Sequence, residues 1–411
     1  MSWATIFGLQ ALGAVLLFGD LPAVELQPVS GEVGYRLGWR EVAITSDAPL
    51  SLRNAPKAKS EHPLYLAVRI GSGDEAAVAA VLDESRGSGS GYDRLYLDAN
   101  RNGEMTDDAA VRATTEYRGR LTSIRVDPVD MTVTYADGSR RVLRVRFEIR
   151  GYRRGLSPAP RWSAVYHLDQ HLEGRVDIGD RRNVLIGLYD CSRAPVESNG
   201  CFDDFGVDRL RIDLNGDGKL DPQKEDFPLS RAIAVDGKLW TLNTDGAATR
   251  LQISRCTLPV GSIVFKSDFI EGPMADGAVE LLSDDGYAFR FPPATGKKLV
   301  VPESAYRVNS FRANLADRTG QLWEATCSFP APLVVKRDVV CEVAFGVPFR
   351  LEPVVEGELR PGVGICISSR LMGLGGELYE NISPVKTRME PRVSIIDAED
   401  IVVLDQKMEY G

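Results

Sequence analysis

The sequence predicts a mainly β chain: two repeated strand–loop–strand modules followed by two β-sandwich modules. Three observations carry this. Residues 91–103 match residues 206–218, Gly91 with Gly206 and Asp98 with Asp213, at a constant offset of 115. Upstream, residues 82–86 match 189–193 at an offset of 107, so the second copy holds eight extra residues, around Asn199, Gly200 and Cys201. Two segments repeated in one order imply two copies of one unit. Next, Leu143, Val145, Phe147 and Ile149 alternate with Arg144, Arg146, Glu148 and Arg150, the period of a strand with one buried face. Last, Asp137-Gly138 and Asp236-Gly237 stand between apolar stretches, the signal of a tight hairpin.

The elements follow in chain order. Residues 6–18 are the one long apolar run, too short to span a membrane, and Leu21-Pro22-Ala23 offers a small residue for cleavage. Residues 1–23 therefore read as a signal peptide lacking a basic start, with a buried strand or helix as the other reading. Export makes the chain secreted, periplasmic or cell-surface, with no stable membrane span. Residues 24–59 form an N-terminal strand region. The repeat modules cover 60–156 and 157–255. Within the first, alanines at 74–82 suit a helix, but the matching stretch 184–189 is β-like, and the repeat outweighs the propensity. Short β-like runs at 287–291, 298–301 and 306–311, then 363–368 and 392–403, give sandwich modules at 256–332 and 333–411.

At 411 residues the chain exceeds one ordinary core. Its net charge of −9 argues against nucleic acid as the main partner and suits recruitment of cations. Residues 140–154 carry seven arginines, read as a solvated strand face. Six cysteines without a CxxC pair disfavour zinc and, in an exported chain, favour disulfides. Cys191 with Cys201 brackets the insertion; Cys256 with Cys327 and Cys341 with Cys366 follow from module membership.

The chemistry concentrates in the repeated loops. Asp213, Asn215, Asp217 and Asp221 occupy positions 1, 3, 5 and 9 of a calcium loop, with Gly218 at 6 and the Lys219 carbonyl at 7. Calcium takes six to eight oxygens, and this spacing converges them. Position 12 is Lys224, so Glu225 or Asp226 has to close the site. The first copy offers Asp98, Asn100, Asn102, the Glu104 carbonyl, Thr106, and Asp107 or Asp108. Asp83 and Asp190 end strands beside these loops, and Asn199, Asp203 and Asp204 add oxygens near the latter. The loops resemble the EF-hand and dockerin type over a dozen residues, with strands for flanks. More broadly, the layout resembles uncharacterised secreted bacterial β-rich proteins whose DxNxDG loops lie between strands ahead of sandwich domains. That resemblance implies calcium binding and export, and no substrate.

Catalytic signals are sparse. Of three histidines, His167 and His171 are four apart in a strand-like stretch without a third ligand. Residues 87–91 lack the lysine of a phosphate loop, and no GxSxG elbow occurs. Glycosidase acids, however, can lie far apart in sequence. The expectation is a mainly β modular protein with structural calcium and immunoglobulin-like sandwich domains presented to a partner. Two alternatives stand beside it: a module binding polysaccharide or a cell-surface protein through loop-borne Trp162, Trp240 or Trp323, and a hydrolase with structural calcium.

Overall fold

The computed structural model describes residues 23–30, 39–47, 54–73, 77–87, 91–153, 160–193, 196–267, 278–291, 297–316, 322–346, 348–356, 366–384, 392–396 and 401–407. Of the expected signal segment at 1–23, residues 1–22 lie outside them and Ala23 opens the first strand. Every regular element among the described residues is a strand, so the chain is all-β.

The first strands are β1 (Ala23–Glu25), β2 (Gln27–Ser30), β3 (Arg40–Thr45), β4 (Leu64–Arg69), β5 (Ala77–Asp83), β6 (Arg94–Leu97), β7 (Val111–Arg118), β8 (Leu121–Val126), β9 (Val129–Thr134), β10 (Arg140–Tyr152) and β11 (Arg161–Leu168). The ambiguous alanine stretch is strand β5, as the repeat required. Pairing runs β11-β3-β4-β5-β6-β7-β8-β10, and β10 pairs with β11 again, closing an eight-stranded barrel with β9 added outside β10. Closure removes free edges, and eight strands leave an interior that side chains fill. The alternation in β10 sets its faces: Leu143, Val145, Phe147 and Ile149 are fully buried beside Tyr166 of β11. Gly151 sits where a Cβ would lie 2.7 Å from the Trp162 ring, so the glycine makes room for the indole.

The chain continues through β12 (Gln170–Ile178), β13 (Arg181–Tyr189), β14 (Arg209–Ile212), β15 (Asp226–Pro228), β16 (Ala232–Val235), β17 (Lys238–Thr244) and β18 (Arg250–Arg255). One sheet has the order β15-β14-β13-β12-β2 and another β1-β18-β17-β16. Asp236 (φ 51°) and Gly237 (φ 72°) both take positive φ between β16 and β17, the geometry of a two-residue hairpin turn. A single hydrophobic core joins the barrel to these sheets, through residues such as Phe147, Leu172, Ile186 and Leu251.

The repeat survives locally and not as two equal modules. β5–β6–β7 and β13–β14–β15 are matching strand–loop–strand–loop–strand runs, but the first belongs to a barrel and the second to an open sheet. The expected boundary at 156/157 falls within the β10–β11 pairing that closes the barrel, because a strand facing two neighbours cannot be cut from either. Beyond 255 a second core gathers Phe265, Phe311, Phe345 and Tyr306. Strand Val260–Ser267 pairs with Lys298–Pro302 and, in parallel, with Val340–Phe345; Leu322–Ser328 pairs with Leu378–Pro384. Strands from both sides of 332 thus share sheets around one core, in place of two separate sandwiches.

Candidate metal centre

The hairpin β14–β15 carries residues 213–225 as its connection, closed at the base by Arg211 opposite Asp226 and by Ile212 N–H donating to the Glu225 carbonyl at 3.1 Å. Both flanks are strands. Asp213, 5% exposed, organises the turn: Oδ1 accepts from the amides of Gly216 (2.7 Å) and Asp217 (3.1 Å), and Oδ2 from Gly218 (2.9 Å). Gly216 and Gly218 hold φ of +77° and +78°, a region that penalises any Cβ. Asn215 Oδ1 accepts from Asp217 N–H, Asp217 Oδ1 from Lys219 N–H, and Asp221 Oδ1 from Gln223 N–H. Of the two candidates to close the loop, Glu225 does so. It is 3% exposed and accepts from the amides of Leu214 (2.9 Å), Asn215 (3.1 Å) and Asp221 (3.0 Å). Asp226 is engaged elsewhere, by Arg209 and Arg211.

The first loop, between β6 and β7, repeats this wiring. Asp98 accepts from Asn102 and Gly103, Asn100 Oδ1 from Asn102, and Asn102 Oδ1 from Glu104. The Thr106 hydroxyl donates to the Glu104 carboxylate. Asp108 accepts from Ala99 N–H at 3.1 Å, the place Glu225 takes beneath Leu214. Asp107 instead accepts from the Asn102 side chain.

The same two-acid pattern recurs in the connections upstream. Glu84 accepts from Gly91 N–H while Asp93 accepts from Ser85 N–H. Asp190 accepts from Gly200 N–H while Asp208 accepts from Cys191 N–H. Glu84, and not Asp83, is thereby the structural equivalent of Asp190. The strand pairings agree: Leu82 faces Leu95, and Leu188 faces Leu210. The sequence alignment is one residue out, because it followed an Asp-x-Ser-Arg match where the pairing follows the leucines. Asp83 accepts instead from the amides of Lys59 and Ser60.

The inserted stretch seats the second copy on the barrel. Asn199 O accepts from Gly71 N–H, Gly200 O from the Tyr135 hydroxyl, and Ser198 O from the Tyr166 hydroxyl. Beneath it lie two buried acids. Asp190 also accepts from the Ser198 hydroxyl, and Asp208 from Asp204 N–H. Burial raises the pKa of both well above the carboxylate range; repulsion from Asp204 adds to this for both, and the Asp190 charge adds for Asp208. At 4% and 1% exposure neither is open to a substrate.

The disulfide expectation is overturned. Cys191, Cys201, Cys256, Cys327 and Cys341 are all free thiols, and the Cys366 side chain lies outside the described residues. Cys191 Sγ points to the Tyr189 carbonyl, whereas Cys201 packs into the barrel core. His167 and His171 lie on β11 and β12, and His171 stacks on Tyr189 at 4.6 Å, so they do not share a metal. The three tryptophans sit on strands and are half-buried, not loop-borne.

Among the described residues, no group of three or more His, Cys, Asp or Glu side chains is gathered to hold a metal ion. The loop carboxylates face backbone amides: Asp213 Oδ1 and Glu225 Oε1 each accept two, whereas Asp213 Oδ2, Asp217 Oδ1 and Asp221 Oδ1 each accept one and keep a further acceptor site. An apolar cavity of about 130 Å³ lies behind the second loop, lined by residues including Ile212, Leu214, Phe227 and Phe289. No protein-family model matches this chain, and neither a curated protein nor a solved structure matches it. The described residues include no helix long and apolar enough to cross a membrane.

Proposed function

We propose that the protein is a non-catalytic, extracytoplasmic β scaffold that takes up calcium at residues 213–225 as a structural ion, with a related site at 98–108. One observation supports this most: Glu225 fastens the base of a loop whose Asp213, Asn215, Asp217, Asp221 and Lys219 carbonyl follow calcium-ligand spacing. The ion would relieve repulsion among Asp213, Asp217 and Asp221. Extracellular loops of this kind bind at roughly 10⁻⁴ to 10⁻³ M, suited to an external millimolar supply. The strand flanks speak for stiffening, since sensors move paired helices and here the flanks are fixed in a ladder. The test is isothermal titration of the intact protein with calcium. Heat saturating near one or two ions, with the share of the 213–225 loop lost in Asp217→Ala, supports the reading; no heat, or an unchanged profile in that variant, refutes it.

A further inference from the structure

The arginines are not spread evenly. Residues 111–161 hold twelve arginines, no lysine and five acids, twelve less five giving a local charge of +7 in a chain of net −9. Cross-strand register gathers six of them, Arg118, Arg120, Arg125, Arg150, Arg153 and Arg161, on one barrel wall. One row runs Arg118, Leu121, Tyr152, Arg161 across β7, β8, β10 and β11. The next runs Glu116, Ser123, Arg150, Ser163, and the third Thr114, Arg125, Glu148, Val165. Past the first row, Arg153 N–H donates to the Arg120 carbonyl at 3.0 Å, which brings those two residues together at the rim.

The pairing of charges leaves a surplus. Arg118 and Arg125 share the single carboxylate of Glu116, and Arg150 has Glu148. Arg120, Arg153 and Arg161 are exposed and make no ion pair among the described residues. Tyr152, 51% exposed, stands in the row between Arg118 and Arg161. Ser123 and Ser163 flank Arg150 in the next row and stand diagonal to Tyr152. Three strand spacings put the ends of a row ~14 Å apart.

We infer that this wall binds an acidic polysaccharide, a chain bearing carboxylate or sulfate groups. Guanidinium forks at the rim would take the anions in pairs of hydrogen bonds. The Ser123 and Ser163 hydroxyls suit sugar hydroxyls, and the exposed Tyr152 ring offers a flat face to a pyranose. A nucleic acid fits less well, because the three rows carry one aromatic ring, Tyr152, where bases call for several faces to stack on. The wall lies on barrel strands and includes none of the acidic loop residues, so the inference goes beyond the calcium reading and does not depend on it.

The experiment is binding of the intact protein to polygalacturonate, with dextran as the neutral control, in chelator and then in calcium. Binding in chelator, weakened about tenfold or more from low to physiological ionic strength, is the expected result. Arg120→Glu with Arg153→Glu should lose at least about tenfold in affinity, while Arg290→Glu with Arg337→Glu, the same charge change outside the barrel, should lose little. Thermal melting checks that each variant is folded; if the first pair is not, Arg120→Gln with Arg153→Gln should still lose severalfold. Absence of binding, equal loss in the control pair, binding only when calcium bridges, or tighter binding to single-stranded RNA or phosphatidylserine vesicles would each overturn the proposal.

Discussion

Glu225 accepts the amide hydrogen of Leu214 at 2.9 Å, and Asp108 accepts that of Ala99 at 3.1 Å, so each loop is tied at its neck by an acid from its far end. In the second loop the tie is buried and threefold, which makes it the stronger.

Glu225→Ala should destabilise the protein by about 2–3 kcal/mol, since three amides lose a charged acceptor in a buried site. Asp217→Ala, on the exposed side of the same loop, should cost under about 1 kcal/mol in chelator and yet abolish the calcium stabilisation that comes from residues 213–225. Urea unfolding of both variants with and without calcium separates the two roles. Equal losses in chelator would contradict this assignment.

The buried pair predicts the sign of the pH dependence. Asp190, raised to about 7, and Asp208, also raised well above its ordinary value, keep protons that the unfolded chain releases above roughly pH 4. Their stabilisation is complete below that range and is lost as pH rises through neutrality. The slope is up to about 1.4 kcal/mol per pH unit for each proton. The urea midpoint should therefore fall from pH 5 to pH 8. Asp208→Asn should start lower, because an amide accepts at only one end, and should fall less steeply. A wild-type midpoint that climbs over this range refutes the account.

Burial raises the Cys201 thiol to about 12 and Cys191 well above its usual range. Native protein at pH 8 should leave both unmodified by iodoacetamide while the half-exposed Cys256 and Cys341 react. Denaturation without reductant should then expose Cys191 and Cys201 to the reagent. Peptide mass spectrometry reads this directly, and a linked Cys191–Cys201 peptide would count against the thiol assignment.

Structural calcium should stabilise as the logarithm of its concentration, about 2.7 kcal/mol at a hundredfold excess over the dissociation constant. Hydrogen exchange in chelator should rise at 98–108 and 213–225 and change little beyond residue 260. A change confined to the second core would be inconsistent with ions on these loops.

Local physics made much of this legible in advance. The alternation at 143–149 marks a strand whose apolar members are all fully buried, and Asp236-Gly237 is the tight turn its residues specify. The repeat identified β5 as strand against its alanine content. Barrel closure was not legible, because it rests on Val42 facing Ala164 across more than a hundred residues, a pairing no window contains. The role of Glu225 was half visible: an acid was needed, but only the competing claim of Arg209 and Arg211 on Asp226 decides which one. The free cysteines escaped because even number and spacing carry no information on which way a thiol points.

The long-range strands β1, β2 and β3 impose an order of assembly. β10 and β11 form an eight-pair hairpin that can zip locally, whereas β3 must wait for β11, β2 for β12, and β1 for β18. Contacts that span so much chain are slow to form, since the entropy of closing the loop comes before any reward. Until residues 250–252 have emerged, β1 has no partner, and β2 has none before β12 is made. β3 can pair early with β4, but its other hydrogen-bonding edge stays open until β11 follows. Those edges are the part of the molecule most exposed to mispairing with another chain while folding is incomplete.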